Sequence, residues 1–191
     1  PNNNDFQNKL SDETLQVAAR INLDPHLICR ALSMYKNIGL VNFDANEIHE
    51  LMGVLLLHIQ SRESRSQVRT LTEIQAIFEY IIDKSSPEDL IKIPKIFWCG
   101  VALLRSDISQ DYLDGVAIIS GYIDKVNIHD TKVQDSLNSC YPYSWLPTFP
   151  GLGILLLKGV CSKRQEESSR RLLSKLIIPD AENISIIDVV P

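Results

Sequence analysis

The stretch that decides the fold is Trp145-Leu-Pro-Thr-Phe-Pro-Gly-Leu-Gly-Ile-Leu-Leu-Leu-Lys-Gly-Val160. Its first part is an elbow rich in aromatic residues and proline, and its second part is an apolar run with one charge, Lys158. A helix formed by that run is apolar on every face, so it needs partner helices around it. The stretch therefore predicts a buried helix at the centre of a helical core.

Outward from this stretch, apolar residues recur at helical spacing along most of the chain. Predicted helices begin near residues 24, 45, 67, 94, 109, 130, 151 and 165. Two of these starts, Asp24-Pro25 and Ser86-Pro87, place a capping residue before a proline at the first helical position. Successive helix pairs repeat about every 40 residues, as in HEAT and armadillo repeats. The sequence predicts an all-α fold, a HEAT/armadillo-like α-solenoid of stacked antiparallel helix pairs, with an irregular helical bundle as the alternative.

The predicted domain organisation has three parts. Residues 1–10 are polar and rich in asparagine, which predicts a disordered arm. Residues 11–178 form the helical-repeat domain, and residues 179–191 form a tail or the start of a next unit. Because the chain begins at Pro1 rather than at methionine, we expect it to be a fragment of a longer protein.

Composition limits the function classes. Apolar residues make up 45% of the chain, charged residues make up 23%, and the net charge of −5 does not favour nucleic acid or an acidic membrane as a partner. No apolar run approaches the length of a membrane span, and no signal peptide is seen, so we expect a soluble cytoplasmic protein. The four cysteines (Cys29, Cys99, Cys140 and Cys161) do not have metal-ligand spacing and are predicted to be free thiols.

No pattern in the sequence points to catalysis. His49 and His58 are nine residues apart on one predicted helix, which is too far for a metal pair. Gly151 and Gly153 precede a helix, but no strand precedes them as a phosphate loop requires. No G-x-S-x-G motif is present. We therefore predict a protein that is not an enzyme, with no catalytic residue, metal site or cofactor, and glycines that allow close helix packing.

One segment is basic in an otherwise acidic chain. Two carboxylates, Glu166 and Glu167, offset six cations there to a net charge of +4. Of the cations, Arg164, Arg171 and Lys175 are spaced by seven and four residues, which places them near one face of a helix. This face is either solvated or a binding surface for an acidic partner. The candidate partner-binding residues are Lys158, Lys163, Arg164, Arg170, Arg171 and Lys175.

A second polar segment contains two serines in the sequence context of kinase substrates. Ser64 and Ser66 lie among Arg62, Arg65 and Arg69 in a predicted connector. Serines in such a basic context are targets of basophilic kinases, so both are candidate phosphorylation sites.

Several segments together resemble a known family. They are Lys95-Ile-Phe-Trp-Cys-Gly-Val-Ala-Leu-Leu-Arg105, Asp111-Tyr-Leu-Asp114, Phe149-Pro-Gly-Leu-Gly-Ile-Leu-Leu-Leu-Lys-Gly159 and Arg171-Leu-Leu-Ser-Lys-Leu176. Their order and type resemble the C-terminal region of the Furry / cell-morphogenesis protein family. The resemblance is best over residues 90–178.

The resemblance implies a scaffold. Members of that family are very large proteins of HEAT-like repeats that organise NDR/LATS-type kinases with their Mob coactivators in polarised growth and cell shape. It implies no active site, and a cytoplasmic location at sites of polarised growth or the cell cortex. Two alternatives stay open. One is the helical flank of another giant regulator, such as a Ras GTPase-activating protein, and the other is an all-α enzyme with an unrecognised site.

Overall fold

The computed structural model describes residues 3–19, 24–38, 45–60, 65–142, 149–179 and 184–186. These residues form helices α1 (Asn3–Ala19), α2 (Pro25–Ile38), α3 (Ala45–Gln60), α4 (Arg65–Lys84), α5 (Pro87–Lys92), α6 (Lys95–Leu104), α7 (Ser109–Lys125), α8 (Thr131–Ser139), α9 (Leu152–Val160) and α10 (Glu166–Leu176). Two short strands follow, β1 (Ile177–Pro179) and β2 (Ile184–Ile186). The all-α prediction is confirmed apart from this ribbon.

The chain divides into two compact units, Pro1–Lys84 (unit 1) and Ser85–Pro191 (unit 2). The helical-repeat domain predicted over residues 11–178 extends over parts of both units. In unit 1, α1 packs on α2 and α3 packs on α4. The first helices of the two pairs, α1 and α3, also contact each other, and so do the second helices, α2 and α4.

Unit 2 repeats this arrangement with different spacing. Here α6 packs on α7 and α9 packs on α10, while α6 also contacts α9 and α7 also contacts α10. The short helices α5 and α8 contact each other; in sequence, α5 precedes the first pair and α8 lies between the two pairs. Each unit therefore contains two helix pairs that lie side by side.

Residues 3–10, which belong to the segment predicted as a disordered arm, lie in α1, which begins at Asn3. Its buried side is formed by Ser11, Thr14, Leu15 and Ala18, at helical spacing. The Thr14 hydroxyl donates to the Ser11 carbonyl over 2.8 Å, and Ser11 Oγ donates to Glu47 Oε1 over 3.1 Å. Because hydrogen-bonded hydroxyls occupy half of the buried positions, the apolar pattern of this helix is faint in the sequence.

Two predicted helix starts are confirmed. Asp24 Oδ1 accepts from the backbone N–H of His26 over 2.8 Å at the start of α2. At the start of α5, Ser86 Oγ accepts from the backbone N–H of Asp89 over 3.2 Å and donates to its carboxylate over 2.8 Å. Both arrangements satisfy N–H groups that have no partner within the helix.

The deciding stretch is less enclosed than predicted. Within α9, Leu152, Leu155 and Leu156 are buried, whereas Ile154 and Leu157 are exposed. Helices α6 and α10 contact α9, and Tyr112 of α7 bonds to it, whereas the side that carries Ile154 and Leu157 is exposed. Trp145 lies outside the described residues.

The chain after α10 turns back on itself. Strand β2 pairs antiparallel with β1, with Ile177 opposite Ile186 and Pro179 opposite Ile184. The apolar segment predicted as a tail or next unit thus begins by pairing with the residues just after α10.

Candidate protein-interaction surface

The centre of unit 2 is a close contact between α6 and α7 at two glycines. A Cβ atom placed on Gly115 would lie 2.6 Å from the carbonyl oxygen of Gly100, and one placed on Gly100 would lie 2.7 Å from Ile119 Cγ1. Both distances are shorter than a normal van der Waals contact, so only glycine lets the helices approach this closely. Sequence reasoning missed this pair, because a single glycine inside a helical pattern gives no sign of its partner.

A tyrosine joins three helices of the same unit. Tyr112 on α7 is fully buried and its hydroxyl donates to the carbonyl of Leu155 on α9 over 3.2 Å. The same hydroxyl shares a hydrogen bond of 2.9 Å with Ser169 Oγ on α10. Burial raises the pKa of Tyr112. Gly159 lies against both hydroxyls, and a Cβ atom there would overlap them. The expected packing role of the glycines in this stretch is confirmed for Gly159.

Three aromatic side chains of unit 2, Trp98, Tyr141 and Phe149, pack against one another. The ring of Trp98 on α6 lies 5.1 Å from that of Tyr141 and 6.5 Å from that of Phe149, both in edge-on geometry. The indole N–H of Trp98 donates to the Leu137 carbonyl over 2.9 Å. Such aromatic pairs stabilise by about 0.5–1.5 kcal/mol beyond the area they bury. Tyr141 and Phe149 are therefore held against Trp98 of α6, and Trp98 is in turn bonded to α8.

Four of the six candidate cations form ion pairs. On α10, Arg170 pairs with Glu166 at 2.8 Å and Arg171 with Glu167 at 3.8 Å, each one turn apart. At the end of α9, Lys158 Nζ lies 2.9 Å from Asp107 Oδ1, and this contact lowers the pKa of Asp107. These pairs lie at the surface, where solvent and salt screen the charges, so they contribute little to stability.

Lys175 connects α10 to α7. Its ammonium lies 2.6 and 2.8 Å from the two carboxylate oxygens of Asp124 and 2.8 Å from Ser120 Oγ. With Asp107 and Asp124 included, six cations face four carboxylates, so the net charge falls from +4 to +2. Sequence reasoning missed both aspartates because each is 51 residues from its lysine.

Two candidate cations remain uncompensated. Lys163 and Arg164 are exposed in the connector between α9 and α10, and neither forms an ion pair with a residue that the structure describes. Arg164 precedes α10, so the predicted helical face of Arg164, Arg171 and Lys175 is not formed. Ser64 lies outside the described residues, and Ser66 is the second residue of α4.

The thiol of Cys99 lies in the core of unit 2. Cys99 is buried on α6, and burial raises the pKa of its thiol from 9.0 to about 12, so it is unreactive at neutral pH. Across the described residues, no three His, Cys, Asp or Glu side chains cluster as metal ligands. The described helices also include none with both the length and the apolar character to cross a membrane.

Comparison with known proteins defines the class. Residues 94–189, half of the chain, match the family described as "Cell morphogenesis C-terminal". The matched region covers nearly all of unit 2, including the two-glycine contact, the Tyr112 junction and the basic connector. The chain belongs to this cell-morphogenesis family, as the resemblance of its sequence motifs implied.

Two curated relatives are proteins of cell polarity and cell morphogenesis. The chain is 23% identical over 163 residues to the cell polarity protein mor2 of Schizosaccharomyces pombe, covering 85% of this chain and 7% of that protein. It is 23% identical over 151 residues to the cell morphogenesis protein PAG1 of Saccharomyces cerevisiae, covering 79% of this chain and 6% of that protein. The chain thus spans a small part of the length of either relative. No solved structure matches it.

Proposed function

We propose that this chain is a scaffold segment without enzymatic activity, acting in cell polarity and shape. It holds an NDR/LATS-type kinase and its Mob coactivator together, in the cytoplasm at sites of polarised growth or the cell cortex. A scaffold of this kind accelerates a reaction by raising the effective concentration of its partners. Membership of the cell-morphogenesis family and the names of the two relatives support the part of this proposal that concerns cell polarity and shape.

The architecture that we propose is an α-solenoid. In both units, the first helix of one pair contacts the first helix of the next, and the second contacts the second. Stacked helix pairs of HEAT type produce this contact pattern, and such arrays present extended binding surfaces.

One observation carries the proposal. The buried polar side chains of unit 2 hold helices together: Trp98 bonds to α8, Tyr112 to α9 and α10, and Tyr122 to the Leu90 carbonyl of α5. The buried carboxylates Asp111 and Asp114 likewise accept hydrogen bonds from Ser106 and Gln110. An active site requires polar groups that point towards a substrate, whereas these groups form hydrogen bonds within the folded chain. We therefore infer that unit 2 acts through its surface, by binding partner proteins.

The test is a deletion of residues 90–178 from the protein as its native cell makes it. We expect lower activity of the NDR/LATS-type kinase and a loss of polarised cell shape, at an unchanged level of the deleted protein. Kinase activity and cell shape equal to those of the wild type would contradict the proposal.

A further inference from the structure

An apolar patch adjoins the basic connector on unit 2. Ile154 and Leu157 lie one turn apart on the exposed side of α9, with 58% and 48% of their surface exposed, and Ile108 before α7 is 43% exposed. Isolated exposed apolar residues are common on protein surfaces, but a group of them beside polar residues marks an interaction site.

Two polar contacts bring these residues together. Lys158, next to Leu157, pairs with Asp107, next to Ile108, at 2.9 Å. On the other side of Ile108, Ser109 Oγ accepts from Gln165 Nε2 over 3.3 Å. Asp107 and Ser109 are thus bonded to the end of α9 and to the N-cap of α10, so Ile108, which lies between them in sequence, is held near these two helix ends.

The position of Ile108 is fixed. Its backbone is extended, with φ −88° and ψ 122°, and its N–H donates to Ser106 Oγ over 3.2 Å. Ser106 Oγ in turn donates to the buried carboxylate of Asp111 over 2.8 Å. Because these hydrogen bonds hold the loop at Ile108, a partner that binds there does not have to order the loop first.

The charge beside the patch has one sign. Asp107 and Lys158 neutralise each other, and the first-turn glutamates of α10 are paired with Arg170 and Arg171. Lys163 and Arg164 lie three and four residues after the end of α9 at Val160 and are exposed, without an ion pair to any residue in the described part of the chain. The patch therefore presents an apolar centre with a positive edge, on a chain whose net charge is −5.

We propose that Ile108, Ile154 and Leu157 dock an amphipathic helix of a partner protein, whose acidic residues pair with Lys163 and Arg164. The complementary charge identifies this occupant, since an apolar stripe with adjacent carboxylates satisfies both parts of the surface. This inference rests on the scaffold function proposed above, and it names the surface and the chemistry of the partner segment.

The test is a selection of displayed helical peptides on the full 191-residue chain. The peptides carry a fixed leucine stripe and random Glu, Lys or Gln at the flanking positions. We expect recovered peptides to be enriched in Glu on one flank. Their affinity should fall at least tenfold for the I154S/L157S double variant and for the K163E/R164E double variant.

Two control variants match these changes in chemistry. Phe6→Ser removes an exposed apolar side chain of unit 1, and Lys132→Glu reverses an exposed charge on α8. Both should bind the selected peptides as the wild type does, and far-ultraviolet circular dichroism should be the same for all variants.

Three results would overturn the inference. They are peptides without Glu enrichment, peptides whose affinity is unchanged in I154S/L157S, and a wild-type chain that dimerises in sedimentation through this patch. The last would show that a second copy occupies it. The scaffold function is tested separately, by kinase activity in cells that carry the deletion of residues 90–178. The peptide experiment can therefore refute the docking surface without refuting the scaffold function.

Discussion

Gly159 on α9 lies directly against the hydroxyl of Tyr112 on α7, with no room for a methyl group between them. The tyrosine hydroxyl needs that space because it bonds to α9 and α10 at the same point. One glycine therefore sets the distance at which α7, α9 and α10 meet. Since α9 also carries the exposed Ile154 and Leu157, this contact positions the candidate surface.

Replacing Gly159 with alanine should destabilise the chain. The added methyl group overlaps Tyr112 Oη and Ser169 Oγ, and overpacking of this kind costs about 1–3 kcal/mol. Equilibrium urea unfolding, followed by circular dichroism, measures the change in the free energy of unfolding.

Gly53 provides the matched control for that substitution. It lies on an exposed side of α3, and a Cβ atom there would have no neighbour within 4 Å. Gly53→Ala should stabilise the chain by about 0.5–1 kcal/mol, because alanine restricts the unfolded chain more than glycine does. Equal effects of the two substitutions would show that the Tyr112 contact is not tight.

Tyr122 should make stability depend on alkaline pH. Burial raises its pKa from 10.0 to about 12. Its contribution is complete below pH 10 and is lost as the pH rises from about 10 to 12, since the unfolded chain releases the phenol proton first. Each pH unit in this range lowers the free energy of unfolding by about 1.4 kcal/mol.

The measurement compares the wild type with Tyr122→Phe by urea unfolding at about pH 9 and about pH 11. The variant lacks the hydroxyl that donates to the Leu90 carbonyl, so it should be less stable at the lower pH and lose less stability on the change to the higher pH. Parallel losses in the two proteins would refute the assignment to Tyr122.

The cysteines should differ in reactivity toward iodoacetamide at neutral pH. Cys161 is exposed, whereas Cys29 and Cys99 are buried, and the raised pKa of Cys99 keeps it protonated. Intact-mass and peptide analysis should show Cys161 alkylated in minutes, with Cys29 and Cys99 modified only in denaturant. Rapid alkylation of Cys99 in the native chain would contradict the packing of α6.

Lys175 should contribute to stability rather than to partner binding. Lys175→Met breaks its contacts with Asp124 and Ser120 and should destabilise by about 0.5–1 kcal/mol, the upper part of the range for surface pairs. The charge-swapped double variant with Asp124→Lys and Lys175→Asp should recover part of this loss. If Lys175→Met lowered the affinity of the selected peptides as much as K163E/R164E does, Lys175 would belong to the docking surface.

Periodicity and capping predicted most of the helices, because those signals lie within a few residues of one another. Ser86 before Pro87 is one example, and its hydrogen bonds to Asp89 are those of a cap. Helix α1 shows the limit of such reasoning. Its buried Ser11 and Thr14 are satisfied by hydrogen bonds, one of them to Glu47 on α3, which becomes a neighbour only in the folded chain.

The candidate surface was predictable in part, for the same reason. The sequence identifies the basic segment, but only the fold brings Asp107 to Lys158 and Asp124 to Lys175. Those contacts leave Lys163 and Arg164 as the cations available to a partner. The apolar residues beside them had been assigned to the core, because a periodic pattern cannot show which side of a helix lacks a neighbour.

The central claim is that this region serves cell polarity by binding proteins. The most direct measurement is affinity purification of the protein from its native cell, with and without residues 90–178, and quantification by mass spectrometry of what is recovered with it. The account predicts that the NDR/LATS-type kinase and its Mob coactivator are recovered with the intact protein and depleted at least several-fold from the deleted one. Equal recovery of both proteins would contradict it.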